Sequence, residues 1–109
     1  MITETYLQKA WGDTIDNVTI DDIKVAISET IEMDDEHSAF WVAIIEDEES
    51  ILETHKDLIV IGSFPTKQEE EIKAKFNSWN EIEVLYHQFL ATEYDSVIKT
   101  LLANQTNSI

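Results

Sequence analysis

Two runs of apolar residues constrain the fold of this chain more than any other feature of its sequence. Ala39–Ile45 is apolar at every position, and residues 58–64 are nearly all apolar. Both runs are much shorter than the roughly 18 residues that a membrane-spanning helix needs. A strand that is apolar on both faces belongs in the middle of a sheet. The sequence therefore predicts two interior strands.

Further strand signals extend this sheet. A charged connection after the first run and a tight one near Lys56 and Asp57 indicate an antiparallel meander, although the second and third segments could also form one long bent strand. Weaker patterns add a first edge strand and a late amphipathic strand. The predicted strands are 4–11, 39–46, 50–56, 58–64 and 72–76.

Helix signals flank these strands. Thr19 and Asp22 form a capping-box pattern, with an apolar stripe at Ile20, Ile23, Ile27 and Ile31, which predicts a helix over 20–32. Ser78 and Glu81 repeat the capping pattern before a helix over 79–91. A shorter helix over 94–103 follows, and the polar tail from 104 is expected to fray. We predict a single α+β domain over 1–109, with a mostly antiparallel sheet of about four to five strands packed against two to three helices.

The charge balance narrows the function. The chain has 23 Asp and Glu against 7 Lys and no Arg, a formal net charge of −16. Such an anion repels nucleic acid and anionic lipid and attracts basic partners. Acidity could also serve solubility alone. The sequence contains no Cys, no signal-peptide pattern and no membrane-spanning run, so we expect a cytoplasmic protein.

The sequence contains few signals of a catalytic site. No serine has a glycine-flanked elbow, and the absence of Arg removes any bidentate phosphate clamp. Glu53, His55 and Asp57 would share one face of an extended strand, but their spacing matches no recognised metal-ligand pattern. We therefore expect a non-catalytic protein with no cofactor and no metal.

Partner binding is the remaining class of function. Trp41 and Trp79 fit the core pattern of their elements, whereas Trp11 is less constrained and is a candidate interface anchor. The acidic clusters lie in or near the connections of the predicted sheet, where they could line one rim. The predicted partner-binding residues are Asp34, Asp35, Glu36, Glu46, Asp47, Glu48, Glu49, Glu53, Asp57 and Trp11.

The segments 17–23, 34–42 and 52–62 support a family resemblance. The order of an N-terminal strand, a capped helix, a meander and a late helix led by Trp79 resembles the small immunity proteins of bacterial polymorphic toxin and contact-dependent inhibition systems, over about residues 11–90. The resemblance implies an antidote that binds a cognate toxin domain and covers its active site. Many such toxins are basic nucleases, in agreement with the acidity of this chain.

Two alternatives stay open. One is an acidic nucleic-acid mimic of the anti-restriction or anti-CRISPR type, which needs acids in two phosphate-like rows. The other is a small regulatory or structural subunit that forms a homodimer through its apolar sheet. One compact acidic patch beside an apolar anchor would favour the immunity hypothesis.

Overall fold

A six-stranded sheet and three helices make up the described part of the chain. The computed structural model describes residues 4–10, 12, 14–33, 38–46, 49–64 and 71–105. The strands are β1 (Glu4–Lys9), β2 (Thr14–Asp16), β3 (Ala39–Ile45), β4 (Glu49–His55), β5 (Ile59–Ser63) and β6 (Glu71–Lys75). The helices are α1 (Ile20–Glu32), α2 (Trp79–Leu90) and α3 (Tyr94–Ala103).

The strand order is β2-β1-β3-β4-β5-β6, and every neighbouring pair is antiparallel. The predicted α+β class is confirmed, with one strand more than the upper expectation because the three-residue β2 was missed. The prediction of β1 as an edge strand is wrong, because β2 pairs along its outer side. Leu58, at a φ of 71°, closes the turn after β4, so β4 and β5 are separate strands and not one bent strand.

Helices α1 and α2 begin where their capping residues indicate. Thr19 Oγ1 accepts from the backbone N–H of Asp22, and Asp22 Oδ2 accepts from the N–H of Thr19, so the predicted capping box of α1 is confirmed. In α2, Ser78 caps the Glu81 N–H, but the Glu81 carboxylate accepts from the N–H of Asn77 and not from that of Ser78. Ile31 is largely exposed, in contrast to the predicted stripe, because Thr30 occupies the buried position of that turn.

All three helices lie against the same face of the sheet. The Lys9 ammonium on β1 is paired with Glu29 of α1, and the buried hydroxyls of Thr54 on β4 and Tyr86 of α2 are hydrogen-bonded. At β5, Gly62 provides the space for the Leu101 side chain of α3. The even-numbered residues Phe40, Val42 and Ile44 of β3 enter the resulting core and are at most 1% exposed.

The two apolar runs therefore do not have two covered faces. The predicted interior positions of β3 and β5 are confirmed. However, odd-numbered residues of β3 point away from the helices, and Trp41 is only partly buried. Trp79, at the start of α2, is also partly buried and packs against the edge of the core. We refer to the sheet face opposite the helices as the open face.

The outer side of β6 contacts the residues that follow α3. The backbone N–H of Lys75 donates to the carbonyl of Asn104 over 3.0 Å, and Ala74 forms a bridge with Gln105. These are the first two residues of the predicted fraying tail, and residues 106–109 lie outside the described ranges. Within the described ranges, no helix has the length and apolar character needed to cross a membrane.

Candidate partner-binding face

The open face consists of side chains that alternate with the core-facing ones along each strand. Cross-strand register aligns them in rows that run across the whole sheet. One row is Asp16, Tyr6, Ala43, Ile51, Ser63 and Glu71, and the next is Thr14, Gln8, Trp41, Glu53, Ile61 and Lys73. The middle of the first row is aromatic and aliphatic, whereas in the second row Trp41 and Ile61 alternate with Gln8 and Glu53. The ends of both rows are polar or charged.

A hydrogen-bonded group of three side chains occupies the centre of this face. Trp41 Nε1–H donates to Glu53 Oε1 over 2.6 Å, and His55 Nε2 lies 2.5 Å from Glu53 Oε2. The Glu53 and His55 side chains are 29% and 31% exposed, so water still reaches both groups. The arrangement fixes the indole and orients a carboxylate between the apolar side chains of Trp41 and Ile61.

A second aromatic side chain is held in the same way. The Tyr6 hydroxyl donates to Glu49 Oε2 over 3.1 Å. Loss of hydration, this hydrogen bond and the Glu49 charge all raise the pKa of Tyr6 above its ordinary value. Tyr6 therefore stays protonated at neutral pH and remains a donor to Glu49.

Two of the depressions on the described open face border the central strand β4. The first has a volume of about 310 Å³ and is lined by Tyr6, Gln8, Trp41, Ala43 and Ile51. The second, of about 200 Å³, is lined by Glu53, His55, Asp57, Ile59, Ile61 and Lys73. The Trp41–Glu53 hydrogen bond joins a wall of the first depression to a wall of the second.

The structure brings three of the predicted partner-binding acids to this side of the sheet. Glu49 and Glu53 lie on the open face of β4, and Asp57, in the turn after β4, lines the second depression beside Glu53.

Glu46 has a different environment. It follows β3 and accepts a hydrogen bond from the Tyr94 hydroxyl of α3 over 3.2 Å. Burial of the phenol, the Glu46 charge and this hydrogen bond raise the pKa of Tyr94 to about 12. Glu46 is thus tied to the helical side of the fold. The remaining predicted residues, Trp11, Asp34, Asp35, Glu36, Asp47 and Glu48, lie outside the described ranges.

The metal hypothesis for Glu53, His55 and Asp57 gains no geometric support. In the part of the chain that the structure describes, no group of three or more His, Asp or Glu side chains is placed to hold a metal ion. The two nearest members, Glu53 and His55, are instead bonded to one another.

Several residues of the face were not predicted from the sequence. Tyr6 and Gln8 lie on a strand whose sequence pattern is weak. Ile51 and Ile61 lie in predicted strands, but the sequence did not show which face of the sheet their side chains occupy. The signal that could have found them is alternation in phase with Glu53, because residues 51, 53 and 55 of one strand necessarily share a face. Trp41 was assigned to the core because its run gives no polar residue from which to judge its face.

No protein-family model, no curated protein and no solved structure matches this chain. The functional argument therefore depends on the chemistry and geometry of the open face.

Proposed function

We propose that this chain is a non-catalytic, immunity-type inhibitor that binds a basic toxin domain and covers its active site. The observation that carries the proposal is the composition of the open face. Its centre contains partly buried apolar and aromatic side chains, among them Trp41, Ile51 and Ile61, around the Glu53 carboxylate, and the other acids lie towards its periphery. An apolar centre with a polar rim is the usual anatomy of a protein–protein interface, and Trp and Tyr are enriched at the centre.

The net charge of the chain favours a partner of positive charge. A net charge of −16 disfavours a second copy on this face, because two such surfaces would repel one another. A basic domain is attracted instead, and electrostatic steering of this kind raises association rates toward about 10⁸ M⁻¹s⁻¹ at low salt. Charge complementarity thus supports a basic protein over self-association.

The dimensions of the face suit one partner domain. Six strands spaced about 4.8 Å apart span about 24 Å, and the central strands rise about 20 Å at about 3.3 Å per residue. The resulting flat area of about 480 Å² compares with about 800 Å² of accessible surface per partner in a standard interface. Side-chain relief and the acidic rim would supply the difference.

The distribution of acids supports a protein partner over nucleic-acid mimicry. Mimicry needs carboxylates in two rows at phosphate-like spacing. On the described open face the acids Glu4, Asp16 and Glu71 lie at strand ends or edge strands, and Ile51 separates Glu49 from Glu53. This pattern corresponds to a rim around an apolar anchor to which one carboxylate, that of Glu53, is hydrogen-bonded.

The proposal is tested by co-expression with the product of the neighbouring open reading frame. We expect that product to arrest growth when it is expressed alone, and we expect this chain to restore growth and co-purify with it one to one. Trp41→Ala is expected to lose protection, because it removes the central anchor. Val84→Ala, on the exposed surface of α2, is the matched control and should protect fully.

Two outcomes would contradict the proposed function or its binding face. A neighbouring product that is neither harmful nor bound would reject the antidote function. A complex that tolerates Trp41→Ala but is lost with Val84→Ala would move the interface to the helical side. Circular dichroism of each variant separates loss of binding from loss of fold.

A further inference from the structure

The first depression of the open face has two aromatic walls, each held by its own carboxylate. Tyr6 donates to Glu49, Trp41 donates to Glu53, and both acceptors lie on β4 with Ile51 between them. The floor is Ala43, which is 1% exposed and has too small a side chain to fill the space. The result is a recess of about 310 Å³ between two oriented rings.

The hydrogen-bonding capacity that remains in this recess favours a donor with positive charge. The phenol and indole donors are already used by Glu49 and Glu53. Each carboxylate offers about four acceptor positions, more than these contacts occupy. The ring faces add a second attraction for cations, because the aromatic quadrupole is negative above the ring plane. The recess itself therefore offers two ring faces and the amide of Gln8, and the acceptor oxygens lie next to it, on the carboxylates that hold the two rings.

Covering the face adds a second reason to expect a cation. The Glu53 side chain is 29% exposed to water in the free protein. A partner that seals the centre removes this water, and a buried carboxylate without a charged counterpart is costly. His55 contacts one oxygen of Glu53, and the other oxygen, which accepts from the Trp41 indole, has a further lone pair for a charged donor of the partner.

We propose that this recess receives an arginine side chain of the partner, an assignment that rests on the open face being the binding surface proposed above. The planar guanidinium stacks on aromatic faces and presents five donors to carboxylate oxygens. Its aliphatic stem would contact Ile51 and Ala43. A lysine ammonium is more strongly hydrated and cannot stack, so it is the weaker ligand.

The experiment uses the isolated protein and small probes. Nitrogen-15-labelled protein is titrated with end-blocked Gly-Arg-Gly, Gly-Lys-Gly and Gly-citrulline-Gly peptides, and the indole N–H resonance of Trp41 is assigned through Trp41→Phe. Citrulline has the shape of arginine without its charge. We expect the arginine peptide to shift the Trp41 resonance saturably at millimolar concentration. The lysine and citrulline peptides should bind about two- to fivefold more weakly, the range that a cation–π contact at an accessible site supplies.

Two variants that each remove one negative charge distinguish a specific binding site from attraction by the overall charge of the protein. Glu53→Gln should weaken the arginine peptide about two- to fivefold, the fold-change of a single exposed charge contact. Glu32→Gln, at the exposed end of α1, should not weaken it. Equal weakening by both variants, equal binding of citrulline, equal binding of lysine, or a Trp41 resonance that does not move would each overturn the assignment.

The outcomes also distinguish this inference from the proposed function. If the toxin-type partner binds the open face and the arginine peptide does not, only the guanidinium assignment fails. If no such partner exists and the peptide still binds at Trp41, the recess is a guanidinium site and the antidote function fails.

Discussion

Replacing Gly62 with alanine is expected to destabilise the fold by about 1 to 3 kcal/mol, the usual cost of overpacking a filled core. A Cβ at this position would lie 2.6 Å from Leu101 Cδ1 and 2.7 Å from Phe64 Cε2. Carbon atoms pack at about 3.5 to 4.0 Å, so each contact is about 1 Å too short. Leu101 is fully buried and cannot turn away without displacing its neighbours.

A thermal melt combined with a double-mutant cycle measures this contact. Gly62→Ala should lower the Tm by about 4 °C per kcal/mol in a domain of this length. Leu101→Ala alone should cost about 2 to 5 kcal/mol through loss of a buried side chain. In that background the alanine at 62 gains space, so its cost should fall by about 1 kcal/mol, and the two changes should be coupled.

Gly12→Ala provides the control. Gly12 has a φ of 109°, but nothing lies within 4 Å of the Cβ that alanine would add. Its cost of about 1 kcal/mol or more comes from backbone strain and should add to that of Leu101→Ala within about 0.5 kcal/mol. Additive costs for Gly62→Ala and Leu101→Ala would refute the claim that α3 approaches β5 closely only because residue 62 has no side chain.

Three further outcomes follow from the fold. Phe40→Ala should lower the free energy of unfolding by about 3 to 5 kcal/mol in denaturant, because it empties a closed core site. Trp41→Ala should lower it by about 2 kcal/mol, because water fills the space on the open face. Equal costs would mean that both faces of β3 are covered. Thr19→Ala should cost about 1 kcal/mol and Thr19→Ser much less, because serine keeps the cap oxygen; equal losses would count against the cap. The fold raises the pKa of Tyr94 from about 10 to about 12, so the stabilisation that this phenol provides should be complete below about pH 10 and should decline as the pH rises through about 12. Tyrosinate absorbance and melts of Tyr94→Phe measure this change. Titration of Tyr94 at the ordinary pKa would contradict the burial of the phenol.

Local signals explain why most element positions could be predicted. The bounds of α1 and α3 agree with the predicted ones, and α2 ends one residue earlier. A capping side chain and an apolar stripe act within a few residues, so the sequence contains both. The three-residue β2 has no such signal, because three positions are too few to show alternation. Its pairing with β1 depends on tertiary contacts.

The candidate site was harder to predict for a physical reason. Charge identifies an acidic protein but not a surface, and acids are frequent throughout this chain. In β3, every position is apolar, so periodicity cannot show which side chains face the helices. The assignment becomes possible only through register, because Trp41 pairs with Glu53 and Val42 pairs with Leu52. A polar residue on the neighbouring strand thus reveals the face that the apolar strand conceals.

The same pairing explains why one strand serves both the fold and the proposed binding. The even residues of β3 are fixed by packing against the helices, so substitutions there change stability first. The odd residues of β3 face away from the helices, yet Trp41 is large and aromatic, and Ile51 of β4 lies across from Ala43. Stability alone does not require an indole bonded to a carboxylate on a surface that faces water. A partner of the kind proposed would give this arrangement a use, because the indole would anchor the interface and Glu53 would disfavour a partner without a matching positive charge.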